Sequence, residues 1–175
     1  MNRREFFTTL FPDPADGEVG LRALPSKAEK FVRIGDWDAA ETFIDAYMHE
    51  NVYFGVAVRR RDSAGSISLK GKHAAVLHAL FCDIDFKVTD EHAARAALAG
   101  CPNPPDIVVN SGGGLHCYWP LKDAIPADGT AKTWLRRLAK TFRGDLTAAE
   151  PARILRVPYT INHKYPKLVV VEQLS

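Results

Sequence analysis

The chain has 175 residues, 46% of them hydrophobic and 25% charged, and a formal net charge of +2. That length suits one domain with a full core, and the balance is that of an ordinary soluble globule. So small a net charge excludes a chain that attracts a polyanion through a global basic field, and no apolar run is long enough for a membrane span.

The elements follow in chain order. The first 35 residues are punctuated by Pro and Gly and are expected to wrap the core, with a short helix near Arg3–Leu10. From Asp36, the 3–4 spacing of Ala40, Phe43, Ile44, Tyr47 and Met48 predicts an amphipathic helix to about Glu50. A strand is expected at Val52–Arg59, then a polar loop around Asp62–Ser66. A strand over 77–86 leads to a helix from Thr89, its expected N-cap, to Leu98, with Gly100 just past its end. Strands over 106–110 and 115–119 flank Ser111-Gly112-Gly113-Gly114. A helix over about Ala131–Phe142 stops at Gly144, and strands follow over 153–157 and 169–175. So abrupt an end suits either a compact protein or a domain cut from a longer one.

The order β-α-β-β-α-β is the split unit of ferredoxin-like folds. The expected class is therefore α+β: an RNA-recognition-motif-like (ferredoxin-like) catalytic core over 51–175 with an N-terminal α/β embellishment over 1–50, together one domain. In such a sheet the strand over 77–86 lies beside both 115–119 and 153–157.

The chemistry concentrates in three places. In Phe81-Cys82-Asp83-Ile84-Asp85-Phe86 the two acids share one face of a strand. Two carboxylates roughly 6–7 Å apart repel by about 2–3 kcal/mol at an effective dielectric near 20. A hard cation on oxygen ligands relieves that repulsion. Second, His116 follows the Gly-rich turn and shares a face with Tyr118, where missing side chains let a ligand approach the sheet. Third come Gly144-Asp145 and the run from Glu150 to Lys164, which carries Arg153, Arg156, His163 and Lys164. Arg presents a planar fork to phosphate and Lys a mobile point charge. Together these suggest a two-metal site with a triphosphate clamp. Asp83, Asp85 and a third acid would hold the metals. Asp145 and Glu150 both qualify as the third acid, and Asp145 is preferred. Ser111, Gly114, His116, Arg153, Arg156, His163 and Lys164 are the candidate nucleotide contacts. The basic residues also cluster at Arg59-Arg60-Arg61 and along Arg136-Arg137-Lys140-Arg143, and local stripes suffice for a polyanion.

Asp83-Ile84-Asp85, Gly114-Leu115-His116 and Asp145 (or Glu150), in that order, resemble the motifs of the archaeo-eukaryotic primase superfamily. The flanking Phe-Cys-Asp-Ile-Asp-Phe-Lys, Ser-Gly-Gly-Gly-Leu-His-Cys-Tyr-Trp and Leu-Arg-Val-Pro-Tyr-Thr-Ile-Asn-His-Lys look like its plasmid, phage and CRISPR-associated primase-polymerase branch. The likeness covers roughly residues 50–172. It implies an RNA-recognition-like catalytic sheet and template-directed nucleotidyl transfer with two Mg2+ or Mn2+ ions. It also implies a single-stranded template, dNTP or NTP substrates, and a helicase or helical C-terminal domain as partner. Tyr159 stands where that branch usually has Gly, and Glu150 where it often has Asp.

Two other readings have distinct requirements. A non-catalytic RNA-recognition module needs exposed aromatics on its central strands, for which Tyr118 is the candidate. A rolling-circle nuclease needs a His-x-His pair, which the sequence lacks. Tyr53, Tyr118 and Tyr159 are candidates for a sugar-facing gate. Cys82, Cys101 and Cys117 form no Cys-x-x-Cys pair, arguing against a zinc knuckle, and Cys82 and Cys117 read as buried thiols. An odd cysteine count without a signal peptide points to the cytoplasm.

Overall fold

The computed structural model describes residues 1–172. Helix α1 (Arg3–Leu10) starts from a capping box, in which Asn2 and Glu5 bond each other's backbone N–H. Strands β1 (Glu18–Leu24) and β2 (Glu29–Arg33) form a hairpin, and α2 (Trp37–Ala46) starts from Asp36. Next come β3 (Asn51–Gly55), β4 (Val58–Arg59) and the long β5 (Ala74–Asp85). Helix α3 (Glu91–Ala99) is capped by Asp90 rather than Thr89. Strands β6 (Ile107–Asn110) and β7 (Gly114–Pro126) precede α4 (Gly129–Thr141), whose N-cap is Asp128. Short strands complete the chain: β8 (Ile154–Arg156), β9 (Ile161–Asn162), β10 (Lys167–Leu168) and β11 (Val170–Glu172). The part of the last expected strand at 173–175 lies outside the described residues.

The architecture is α+β, with four helices on a mainly antiparallel nine-stranded sheet of order β11-β6-β7-β5-β4-β1-β3-β8, β2 branching from β1. The segment β6-β7-β5 keeps the expected ferredoxin-like neighbours. The strand over 153–157 does not: β8 pairs with β3, not with the Asp strand. The first 35 residues, expected to wrap the core, instead supply β1 and β2 to the sheet, with β1 beside β3. Strand β1 buries Val19, Gly20 and Leu21 in succession, so it lacks the alternation that marks a half-exposed strand. The expected strand over 52–59 is split into β3 and β4.

The sheet nevertheless brings β8 back to β5. Residues 157–169 run from β8 to β11, and Arg153, just before β8, reaches Asp83 of β5. The link ties them: Tyr159 N–H donates to the Val169 carbonyl at 2.7 Å, and the Asn162 side-chain amide donates to the Ser111 carbonyl at 2.5 Å.

One sheet face is shared by core and cavity. Tyr118 pairs with Phe81, and two residues along, His116 pairs with Asp83. Over Tyr118, α1 packs Phe6 edge-to-face at 5.6 Å, and Phe6 and Phe7 meet Phe54 of β3 at 5.4 and 5.6 Å. Such contacts contribute about 0.5–1.5 kcal/mol each beyond area burial. The half carrying Asp83 and His116 is left uncovered. Among the described residues no helix is long and apolar enough to cross a membrane.

Candidate active site

Strand pleat and register build the centre of the site. Asp83 and Asp85 on β5 face His116 and Gly114 on β7. His116 Nε2 lies 3.7 Å from Asp83 Oδ1, and Arg153 Nη2 lies 3.4 Å from Asp83 Oδ2. His116 is buried. Burial pushes its pKa below the usual histidine value against the pull of Asp83, and Arg156 and Arg153 push the same way. The ring is therefore neutral near pH 7, and its Nδ1 has no hydrogen-bond partner.

The third acid arrives from the end of α4. Arg143 takes a left-handed backbone, φ 54°, which ends the helix. Gly144 then passes so close to β5 that a Cβ there would lie 2.5 Å from Cys82 Sγ and 2.8 Å from the Asp83 carbonyl. This approach lets Asp145 N–H donate to that carbonyl at 2.7 Å. The Asp145 carboxylate accepts from Thr147 N–H and Oγ1, both at 2.7 Å. Burial raises the Asp145 pKa, but the Thr147 hydrogen bonds and Arg153 outweigh it and hold the group below the usual carboxylate value.

A cavity of about 210 Å³ opens at this point. Asp83, Asp85 and Asp145 line it together with Arg153, Arg156 and Lys164, and His116, Ser111 and Gly114 complete its floor. Arg156 Nη1 donates to Asn51 Oδ1 at 2.6 Å and its guanidinium sits 4.9 Å over the Tyr53 ring. Both contacts aim the guanidinium along one direction.

Two predicted residues lie elsewhere. Glu150 pairs with Lys132 at 2.6 Å and does not line the cavity. His163 directs Nε2 to the Met48 carbonyl at 3.1 Å and also stays outside. Of the tyrosines weighed as a sugar gate, only Tyr53 lines the cavity. Tyr118 is buried under α1, and the Tyr159 hydroxyl donates to the Met1 carbonyl. The burial of Tyr118 also removes the stacking aromatic that an RNA-recognition module requires. Tyr159 keeps a left-handed backbone, φ 60°, so the turn retains the conformation a glycine would take.

Sequence reasoning missed Tyr165, Asn51 and Asn162. Tyr165 lines the cavity with its ring against Gly113, where a Cβ would come within 2.3 Å of it. The Gly-rich turn is thus filled partly by the chain's own aromatic. Gly114 is required by the sheet itself, since a Cβ would meet the Ile84 carbonyl at 2.1 Å. Ser111 Oγ is committed to the Gly114 carbonyl at 3.0 Å.

Among the described residues no three His, Cys, Asp or Glu side chains converge tightly enough to hold an ion. The donor chemistry still fits hard cations, because the three cavity acids offer only oxygens. In this arrangement Arg153 supplies the countercharge at Asp83.

No family model and no curated protein sequence matches the chain. In fold it is similar to the archaeo-eukaryotic primase (AEP) domain of the cyanophage S-2L primase-polymerase. That match has 16% identity and a TM-score of 0.69, covering 99% of this chain and 89% of that one. The catalytic domain of primase RepB′, solved with initiator DNA, matches at 12% identity and TM-score 0.63, over 99% and 85% of the two chains. The polymerase domain of Mycobacterium tuberculosis ligase D, solved with DNA, matches at 15% identity and TM-score 0.55, over 98% and 79%. The chain has the fold of these archaeo-eukaryotic primase and primase-polymerase catalytic domains.

Proposed function

We propose that the chain is a template-dependent nucleotidyltransferase, a DNA primase-polymerase that makes or extends strands by a two-metal mechanism. The observation carrying this reading is the meeting, in one cavity, of three acids, a neutral histidine and three cations brought from separate strands and turns. Arg156, Lys164 and Arg153 would bind the triphosphate, with Arg156 pre-aimed by Asn51 and Tyr53. His116, neutral and with a free ring nitrogen, would bond a phosphate oxygen without adding charge beside Asp83. Asp83, Asp85 and Asp145 would hold two Mg2+ or Mn2+ ions, which supply charge neutralisation at the phosphates and a lowered pKa at the attacking hydroxyl. The 3′-oxygen bonds the α-phosphorus, pyrophosphate leaves with the electron pair of the broken bond, and the hydroxyl proton passes to water.

Incubation with a single-stranded template, labelled nucleotides and manganese, with and without a primer, tests the reading. Labelled product that disappears in Asp83→Ala, with the fold intact, is expected. Full incorporation by Asp83→Ala, or no incorporation by the unaltered chain under either condition, would overturn it. Product only when primer is added would make the chain an extending polymerase, whose initiation needs a helicase or helical partner domain.

A further inference from the structure

Helix α4 with its C-terminal cap is free of acidic residues and carries five cations. Lys132, Arg136, Arg137, Lys140 and Arg143 fall there, and no Asp or Glu occurs from Gly129 to Arg143. The helix buries Ala131, Leu135 and Ala139, which turns Arg136, Arg137 and Lys140 to solvent. Lys132 pairs with Glu150. Among the described residues no carboxylate pairs with Arg136, Arg137, Lys140 or Arg143. Surface cations normally sit among acids, so an uncompensated stripe of this kind fits a polyanion.

The stripe leads somewhere specific. Beyond the helix, Arg143 forms one wall of a second cavity of about 420 Å³, with Val88, Leu146 and the acids Asp85 and Asp145. Val88 is 82% exposed and Leu146 38%, an unusual display of apolar surface beside three charged groups. This groove shares Asp85 and Asp145 with the first cavity but none of Arg153, Arg156 or Lys164. The acids therefore stand between two chambers, one lined by the phosphate-binding cations and one apolar and open toward α4. Arg143 holds its left-handed backbone, a conformation disfavoured for any residue with a side chain, at the junction of stripe and groove.

In-line transfer places the attacking oxygen and the departing phosphates on opposite sides of the transferred phosphorus. We infer that a nucleic-acid strand lies with its phosphates along Arg136, Lys140 and Arg143 and presents its 3′-terminal hydroxyl to the acids through the Val88–Leu146 groove. The identity of that strand end rests on the nucleotidyl-transfer reading, whereas the strand track along α4 rests on charge alone. The apolar walls suit the faces of the terminal sugar and base, and the stripe suits the phosphates that follow.

The test is fluorescence anisotropy of a labelled single-stranded oligonucleotide with the whole chain, over a range of salt and without nucleotides. Neither Arg136 nor Lys140 touches the catalytic cavity, and both face solvent, so the double variant Arg136→Gln/Lys140→Gln should keep its melting temperature. Removing two phosphate contacts should weaken binding roughly tenfold at low salt. It should also flatten the log–log salt dependence by about 1.4, from about 0.7 per contact on a single strand. Affinity and slope equal to those of the unaltered chain would overturn the track. An inactive chain that still loses binding in the double variant would remove the proposed reaction and leave the track standing. Oligonucleotides carrying 4-thiothymidine at either end then read the polarity. Cross-links from the 3′-end into residues 143–147 are expected, and cross-links there from the 5′-end alone would overturn the assignment of the strand end.

Discussion

Arg153 places Nη2 3.4 Å from Oδ2 of Asp83, although Asp83 belongs to a central strand and Arg153 leads into an edge strand. The guanidinium neutralises an acid that would otherwise face Asp85 and Asp145 uncompensated, and its own Nε has no partner. Under the proposed two-metal reading, a metal ion would compete with Arg153 for this carboxylate. An Arg153→Gln variant should bind Mn2+ severalfold more tightly in the absence of nucleotide, because Asp83 is released. The same variant should raise the KM for nucleotide by about tenfold, from loss of a charge-assisted contact of about 1.5–3 kcal/mol. Calorimetric titration with Mn2+ and steady-state kinetics check the pair of effects, and weaker Mn2+ binding in the variant would refute the competition.

His116 makes stability depend on pH. Burial is the main cause of its lowered pKa, so between the folded value and about 6.5 the unfolded chain binds a proton that the folded chain does not. Stability therefore rises with pH through that window and levels off above about 6.5. Urea unfolding at pH 5, 6 and 7 should show the rise, and His116→Gln should flatten it. A slope unchanged by the substitution would contradict the buried neutral ring.

Gly144 sets the distance between the third acid and β5. Gly144→Ala would force its Cβ against Cys82 Sγ and the Asp83 carbonyl, moving Asp145 away from Asp83. The expected cost is about 1–3 kcal/mol of stability, the range for overpacking, together with a loss of incorporation beyond what instability explains. Denaturant unfolding and activity measured below the melting transition separate the two.

The thiols should differ sharply in reactivity. Burial, with Asp83 adding to it, pushes Cys82 up to about 12, and burial pushes Cys117 well above its usual value. Cys101 is only half-buried. Iodoacetamide at pH 8 should therefore modify Cys101 alone in the folded chain, as peptide mass analysis would reveal.

The acids on β5 and their partner on β7 were legible in the sequence because both follow from the period-two pleat and from the β-α-β-β-α-β order, which sets the first strand beside the third. Asp83 opposite His116 is such a case, as is Asp145 just beyond the stop of α4. Helix ends were legible to within a few residues, with neighbouring Asp90 serving in place of Thr89. What could not be read depends on the whole sheet. The place of β8 beside β3 goes with an extra hairpin in the first 35 residues, where burial of Val19, Gly20 and Leu21 in succession hides the period of β1. Tyr165 and Asn162 reach the site from the link after β8, and Asn51 from β3 beside it, and no local pattern encodes those placements. The sequence leaves Asp145 and Glu150 both open, with Asp145 preferred, and the structure puts Asp145 on the cavity while Glu150 pairs with Lys132 on α4.

The length of β8 bears on how the protein behaves when crowded. A nine-stranded sheet ordinarily ends in two strips of unpaired amides and carbonyls, each a template for another extended chain. Here β8, one of those two edges, is only three residues long. Many copies gathered on one long polymer would find in β8 only a short edge to pair with, so high local concentration need not lead to co-aggregation through that side of the sheet.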